Sequence, residues 1–218
     1  MSVRNRWLLL VTTLVCYAVL WVGWVQQWTP LQGIDTSLLA AAHRYGVAHP
    51  GWVRGWQVYC TVLGPWVFQL VGLVAAIVAL VRRRFRVAGF LVVCVVLESV
   101  IMQIAKDIAQ RSRPLTAFVY EPSWSFPSGH ALGTLVGVLG LTAAALVVVA
   151  PGHRRRVWVA AGLGAVVVLT IGAGRVLLNV HNPSDVLAGW LLGTAWFCAT
   201  LPILPDARTS ELEIVAKP

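Results

Sequence analysis

Residues 106–130 read KDIAQRSRPLTAFVYEPSWSFPSGH, a cationic, hydroxyl-rich segment set between two long apolar runs. It holds Lys106, Asp107, Arg111, Arg113, Glu121 and His130, in a chain of 218 residues that is 58% hydrophobic and only 11% charged. A soluble domain carries about 25% charged residues, so this composition belongs to a protein that crosses a membrane several times. Cations and hydroxyls between two spans then make a candidate anion site beside the bilayer.

The flanking runs, 87–106 and 128–150, each have spanning length, because about twenty residues at 1.5 Å rise cover the hydrocarbon thickness. Further spans are predicted over 7–25, 61–81, 157–178 and 182–201. The expected fold is therefore an all-α integral membrane protein with six transmembrane helices, a single domain over 1–218. The run from Trp7 follows Arg4 and Arg6, as in a signal peptide. It is longer than a typical apolar h-region and lacks a small-residue cleavage site, so it reads as a retained span. Trp21, Trp24 and Trp28 form an expected interfacial belt at its far end. Asp35 is read as the cap of a short interfacial helix over 35–44, with Leu38, Leu39, Ala41 and Ala42 on its apolar side. His43 and His49 nearby receive no role. Pro151-Gly152 closes the fourth span, and a short charged tail follows the sixth.

The net charge of +9 comes largely from arginine clusters between apolar runs: Arg4 and Arg6, then Arg82, Arg83, Arg84 and Arg86, then Arg154, Arg155 and Arg156. The positive-inside rule puts these clusters and both termini in the cytoplasm. Segments 26–60, 107–127 and 179–181 then face outward, towards the periplasm or cell exterior, from the plasma membrane. No basic stripe with interleaved aromatics accompanies the charge, which argues against a nucleic-acid partner. Cys16, Cys60, Cys94 and Cys198 lie in or beside apolar runs without C-x-x-C spacing and read as small hydrophobes.

Three sets of reactive residues fall at the outward helix ends. The first runs from Lys106 to Arg113-Pro114. The second is Pro127-Ser128-Gly129-His130, and the third runs from Arg175 through His181 to Asp185. Taken singly, each has a structural account. Lys106, Arg113 and Arg175 could anchor span ends by snorkelling. Ser128 could simply cap a helix, as could Asn182 with Pro183 behind it and Asp185 near the third position. Those accounts leave unexplained why three cations and two histidines gather on the face that the positive-inside rule depletes of basic residues. A phosphate suits them: its anionic oxygens take Lys106, Arg113 and Arg175, with Ser128 and the Gly129 N–H as hydrogen-bond donors. His181, oriented by Asp185, is a candidate nucleophile, and His130 a candidate general acid and base.

The three sets resemble the signature of the type 2 phosphatidic acid phosphatase superfamily, the membrane relatives of bacterial acid phosphatases and vanadium haloperoxidases. The family pattern is K-x6-R-P, then P-S-G-H, then S-R-x5-H-x3-D. The first two are complete here; in the third, Gly174 stands where the family has serine. The resemblance extends to the six-span core. It implies a hydrolase without metal or cofactor, in which His181 is transiently phosphorylated. The implied substrate is a lipid phosphate or diphosphate drawn from the bilayer: undecaprenyl diphosphate, phosphatidylglycerol phosphate or phosphatidic acid. A phosphotransferase delivering the phosphate to a lipid or sugar hydroxyl shares the same chemistry up to the intermediate. A lipid or anion transporter would need more polar residues through the membrane than Glu98 and Gln103. Glu98 is sufficiently explained as a protonated carboxyl bonded to a neighbouring helix. Glu121, Ser123, Trp124 and Ser125 are expected to shape the entrance, with Asp107 and Arg111 flanking the first motif.

Overall fold

The computed structural model describes residues 1–205, so the charged residues of the expected tail, from Asp206 onward, lie outside the described residues. The helices are α1 (Val3–Val25), α2 (Thr29–Ala48), α3 (Pro50–Val62), α4 (Pro65–Val81), α5 (Phe85–Leu91), α6 (Glu98–Ala109), α7 (Gly129–Val148), α8 (Arg154–Leu177) and α9 (Pro183–Thr200). A single π turn, Val92–Val96, joins α5 to α6. Among the described residues six stretches are long and apolar enough to cross a membrane: Val3–Val25, Pro50–Val81, Phe85–Ala109, Gly129–Val148, Pro151–Leu177 and Pro183–Ile203. These are the six expected spans. The second begins well before Thr61, because Pro50 and Pro65 each occupy a first helical turn, where a missing N–H is harmless.

The expected short helix over 35–44 is instead the twenty-residue α2. Pro30 in its first turn sets the start, and Trp28 at the cap position offers no side-chain oxygen. Asp35 is therefore no cap. It lies inside the helix, only 2% exposed, because Arg111 and Ser184 claim its carboxylate. The tryptophan belt also differs from expectation. Trp21 and Trp24 pack inward around Phe126, with Trp24 stacked on its ring at 6.2 Å, and Trp28 alone of the three is exposed.

Helix α7 packs against α4, α6, α8 and α9, and α1 lies along α9. In lipid the apolar effect does not drive helices together, so close van der Waals packing has to. Gly72 and Gly140 both face Val95, and Gly137 faces Phe68, letting backbones approach around Phe90, Leu91, Leu132 and Val136. The π turn leaves the Cys94 carbonyl to accept from Trp196 Nε1 at 3.0 Å. The outer faces keep Val74, Val78, Leu163 and Leu169 exposed, as lipid contact requires.

The bundle has two chemically different ends. At one, Arg86 donates to the carbonyls of Pro202, Ile203 and Leu204 at 3.1–3.2 Å, and Arg84 reaches Val148 O at 3.5 Å. At the other meet the end of α6, the start of α7, the end of α8 and the start of α9. All three motif sets lie at this second end.

Candidate active site

Helix α6 stops at Gln110, whose φ of 53° turns the chain left-handed. The loop behind it folds back and is pinned by Ser125, whose hydroxyl donates to Arg111 O and Ser112 O at 3.1 Å each. This return brings Ser123 between two cations. Lys106, buried in the last turn of α6, donates from Nζ to Ser123 Oγ at 3.0 Å and to Trp124 O. Arg113 donates to Ser123 O at 2.8 Å and Ser123 Oγ at 3.1 Å. Ser123, expected only at the entrance, thus holds both cations of the first motif together.

Arg113 also reaches the turn between α8 and α9. Its Nη1 donates to Val180 O at 2.8 Å and lies 3.1 Å from His181 Nε2. A guanidinium only donates, so Nε2 accepts and the imidazole proton sits on Nδ1. Nδ1 faces Asp185 Oδ2 at 3.6 Å, an aimed contact longer than a hydrogen bond. Such contacts commonly tighten only when substrate is bound. Asp185 is itself held by its own helix start. Its Oδ2 accepts from Asn182 N at 2.8 Å in a capping box, and its Oδ1 accepts from Arg111 Nη1 at 2.6 Å.

Arg175, at the end of α8, forms the third corner. Its Nη2 pairs with Glu121 Oε1 at 2.6 Å. Arg175, Glu121 and His130 line one cleft of about 230 Å³ with Gln57, Thr61, Trp66, Val119 and Leu178. Ser128 caps α7, accepting from Ala131 N at 3.5 Å, and Gly129 opens that helix. The cap is clamped onto α9: Ser128 N donates to Asp185 O at 2.9 Å, and a Cβ at Gly189 would lie 2.5 Å from Ser128 O. Only glycine lets α9 approach the P-S-G-H turn so closely. Ser128 Oγ is buried in its capping role and takes no hydrogen bond from Lys106, Arg113 or Arg175.

Electrostatics follow from this crowding. Burial, reinforced by Arg175, Arg113 and Lys106, lowers the His181 pKa well below its ordinary 6.5, keeping the imidazole neutral. Burial also lowers the Arg113 pKa. Burial alone would raise the Glu121 carboxyl, but Arg175 outweighs it and holds the group below its usual 4.5. Both His181 and Glu121 thus have folded pKa values below their unfolded ones. Their contributions to stability are complete above the unfolded pKa and lost as pH falls, near 6.5 for His181 and below 4.5 for Glu121. The melting temperature in detergent is expected to drop on acidification from about pH 7 to about pH 5, and His181→Asn to flatten that drop. An unchanged slope in the variant would remove His181 as its source.

The glycine in the family's serine position has a packing cause. A Cβ at Gly174 would lie 2.7 Å from both Cys60 Sγ and Trp56 Cε3, so a serine there would collide with α3. Gly174→Ser is expected to destabilise the protein by about 1–3 kcal/mol through overpacking. A thermal melt in detergent checks this, and an unshifted midpoint would mean that Trp56 gives way freely. Elsewhere, Glu98 Oε1 accepts from Gln69 Nε2 at 2.8 Å, a bond from α6 to α4. Asp107 accepts from Gln103 at 2.8 Å. His43 stacks on Phe118 and His49 on Tyr45. Arg111, a direct partner of Asp185, and Asp35, which reaches it only through Arg111 and Ser184, carry no short-range sequence signal beyond an Asp inside a helix, where its propensity is poor.

A family model described as the PAP2 superfamily matches residues 87–209. An undecaprenyl-diphosphatase of Sulfolobus acidocaldarius is 30% identical over 128 residues, covering 56% of this chain and 57% of that protein. Phosphatidylglycerophosphatase B of Bacillus subtilis is 36% identical over 104 residues, 46% of this chain and 49% of the relative. The chain thus spans about half the length of these curated relatives. Among solved structures, a transmembrane PAP2 type phosphatidylglycerolphosphate phosphatase from Bacillus subtilis superposes with a TM-score of 0.71 at 21% identity, covering 95% of this chain and 97% of its own. That likeness establishes a shared fold.

Proposed function

The chain belongs to the PAP2 superfamily, and from that premise we propose that it is an integral membrane phosphatase acting on a lipid phosphate or diphosphate through a phosphohistidine, without metal. One observation carries the reading. Lys106, Arg113 and Arg175 meet two histidines at one end of the bundle, and Arg175 already grips an anionic oxygen, that of Glu121. A substrate phosphate would displace that carboxylate and take the same guanidinium. The names of the two curated relatives support a substrate of the undecaprenyl diphosphate or phosphatidylglycerol phosphate class, and phosphatidic acid joins them through the family resemblance alone.

The steps follow from the residues. Arg113 shifts from His181 Nε2 to a phosphate oxygen, freeing the nitrogen lone pair for attack on phosphorus. The N–P bond forms as the P–O bond to the lipid breaks, and His130 gives its proton to the leaving oxygen. Lys106, Arg113 and Arg175 stabilise the charge spread over the equatorial oxygens. Asp185 accepts from Nδ1 while the ring is cationic. His130 then removes a proton from water, whose oxygen attacks phosphorus. The N–P bond breaks, and phosphate leaves with His181 neutral again.

The arginine turns at the opposite end favour the cytoplasm, which turns the cleft towards the outer face of the plasma membrane. A lipid can then present its headgroup to the cations while its tail remains in the bilayer. The test is phosphate release by purified protein in EDTA from a panel of these three lipids, with rapid acid- and base-quench of labelled reactions. A base-stable, acid-labile phosphoenzyme is expected. Release that requires added Mg2+, or turnover with no such intermediate, would overturn the proposed chemistry.

A further inference from the structure

Below His181 lies a buried set of charges that touches no cation of the phosphate cluster. Arg111 Nη1 donates to Asp185 Oδ1 at 2.6 Å and to Ser184 Oγ at 2.8 Å, while its Nη2 donates to Asp35 Oδ2 at 3.0 Å. Asp35 also accepts from Ser184 N at 3.0 Å and from Ser184 Oγ at 2.5 Å. Trp24 covers the guanidinium, its ring centroid 5.6 Å from Arg111 Cζ. All four polar residues are buried, with exposures of 2% for Asp35, 8% for Arg111, 1% for Ser184 and 0% for Asp185. The set therefore joins α1, α2, the 110–128 loop and α9 through direct contacts.

Buried ions are expensive, and helix caps alone would have oriented Asp185. The charge count explains the expense. Arg111 by itself would neutralise Asp185 and weaken it as partner for a cationic imidazole. Asp35 offsets that, leaving two carboxylates against one guanidinium and one negative charge in excess beside His181. That excess matters at the moment the ring becomes positive, as the N–P bond forms. Helix α2 is tied to the same turn a second time: the Asn179 amide, oriented with its nitrogen towards Leu39 O at 3.2 Å, has its oxygen 3.2 Å from His43 N.

We propose that Asp35, Arg111 and Ser184 are positioning residues that hold Asp185 aimed at His181 Nδ1 and leave the set with one negative charge in excess, so that α2 governs the phosphoryl-transfer step without touching the substrate. This rests on the phosphohistidine reading above. The experiment compares wild type, Asp35→Asn, Arg111→Lys and Ser184→Ala in detergent with EDTA, measuring kcat and KM separately, phosphoenzyme formation by rapid quench, and melting temperature. In Asp35→Asn and Arg111→Lys, kcat and the rate of phosphoenzyme formation are expected to fall together by about 10- to 100-fold. KM should stay within about threefold, because the phosphate cradle is untouched. Added to Asp185→Asn, Asp35→Asn should lower kcat by less than about threefold more, since it acts through the carboxylate already lost. If Asp35→Asn does not fold, Ser184→Ala keeps every charge and should lose about 3- to 10-fold in kcat with the same unchanged KM. Wild-type kcat in folded Asp35→Asn or in Ser184→Ala, a loss confined to KM, or full additivity with Asp185→Asn would overturn the proposal. A wild-type protein that releases no phosphate would overturn the phosphatase reading instead.

Discussion

His181→Ala is expected to lose at least about 10⁴-fold in kcat, the largest effect of any single change in the chain. Among the described residues no other side chain stands where Nε2 stands, in contact with Arg113 and with a carboxylate behind the ring. The variant keeps Lys106, Arg113 and Arg175, so its affinity for inorganic phosphate as a product-like ligand should stay within about tenfold of wild type. That pair of measurements separates a lost nucleophile from a collapsed site. Rapid quench should yield no phosphoenzyme at all. Turnover within tenfold of wild type would mean that phosphorus is attacked by something else, water included.

Asp185→Asn comes second, with an expected loss of about 10³- to 10⁴-fold in kcat, the scale seen when a buried carboxylate behind a catalytic imidazole becomes an amide. The carboxylate accepts from three groups, Arg111, Asn182 N and Asn182 Nδ2, and faces a fourth, His181 Nδ1. An amide presents an NH2 to at least one of these donors. It can then no longer compensate a cationic ring, and the neutral imidazole is left with Arg113 alone to keep its proton on Nδ1. Thermal stability should drop too, because Arg111 would retain a single carboxylate partner in a buried place. Phosphoenzyme should still form, slowly, with KM little altered. A variant with near-normal kcat would show that Asp185 serves the α9 cap alone.

Much of the fold could be read beforehand, since spanning helices satisfy their own backbones and advertise themselves by hydropathy alone. Boundaries went astray where local chemistry was ambiguous. Asp35 looked like a cap because carboxylates favour helix starts, whereas Pro30 and an oxygen-free Trp28 at the cap position mark the actual beginning of α2. The cations and histidines of the candidate site were legible because each set sits within a few residues of a helix end. Arg111 was not, as its partners lie 76 residues upstream and 74 downstream. No short-range pattern encodes such a meeting; it exists only once α2 and α9 pack. Gly174 shows the converse. As a motif position it looked like a missing donor, and the packing of α8 against Trp56 and Cys60 supplies its cause.

The long reach of Asp35 also orders the birth of the protein. Helix α2 is synthesised 149 residues ahead of Ser184, the group that completes its coordination. Until α9 is in place, the carboxylate on α2 lacks its hydroxyl partner, Arg111 lacks Asp185, and the turn bearing His181 has no carboxylate behind it. On the proposed chemistry, reactivity is thus withheld until α9 docks, because His181 is aimed only once Asp185 stands behind it.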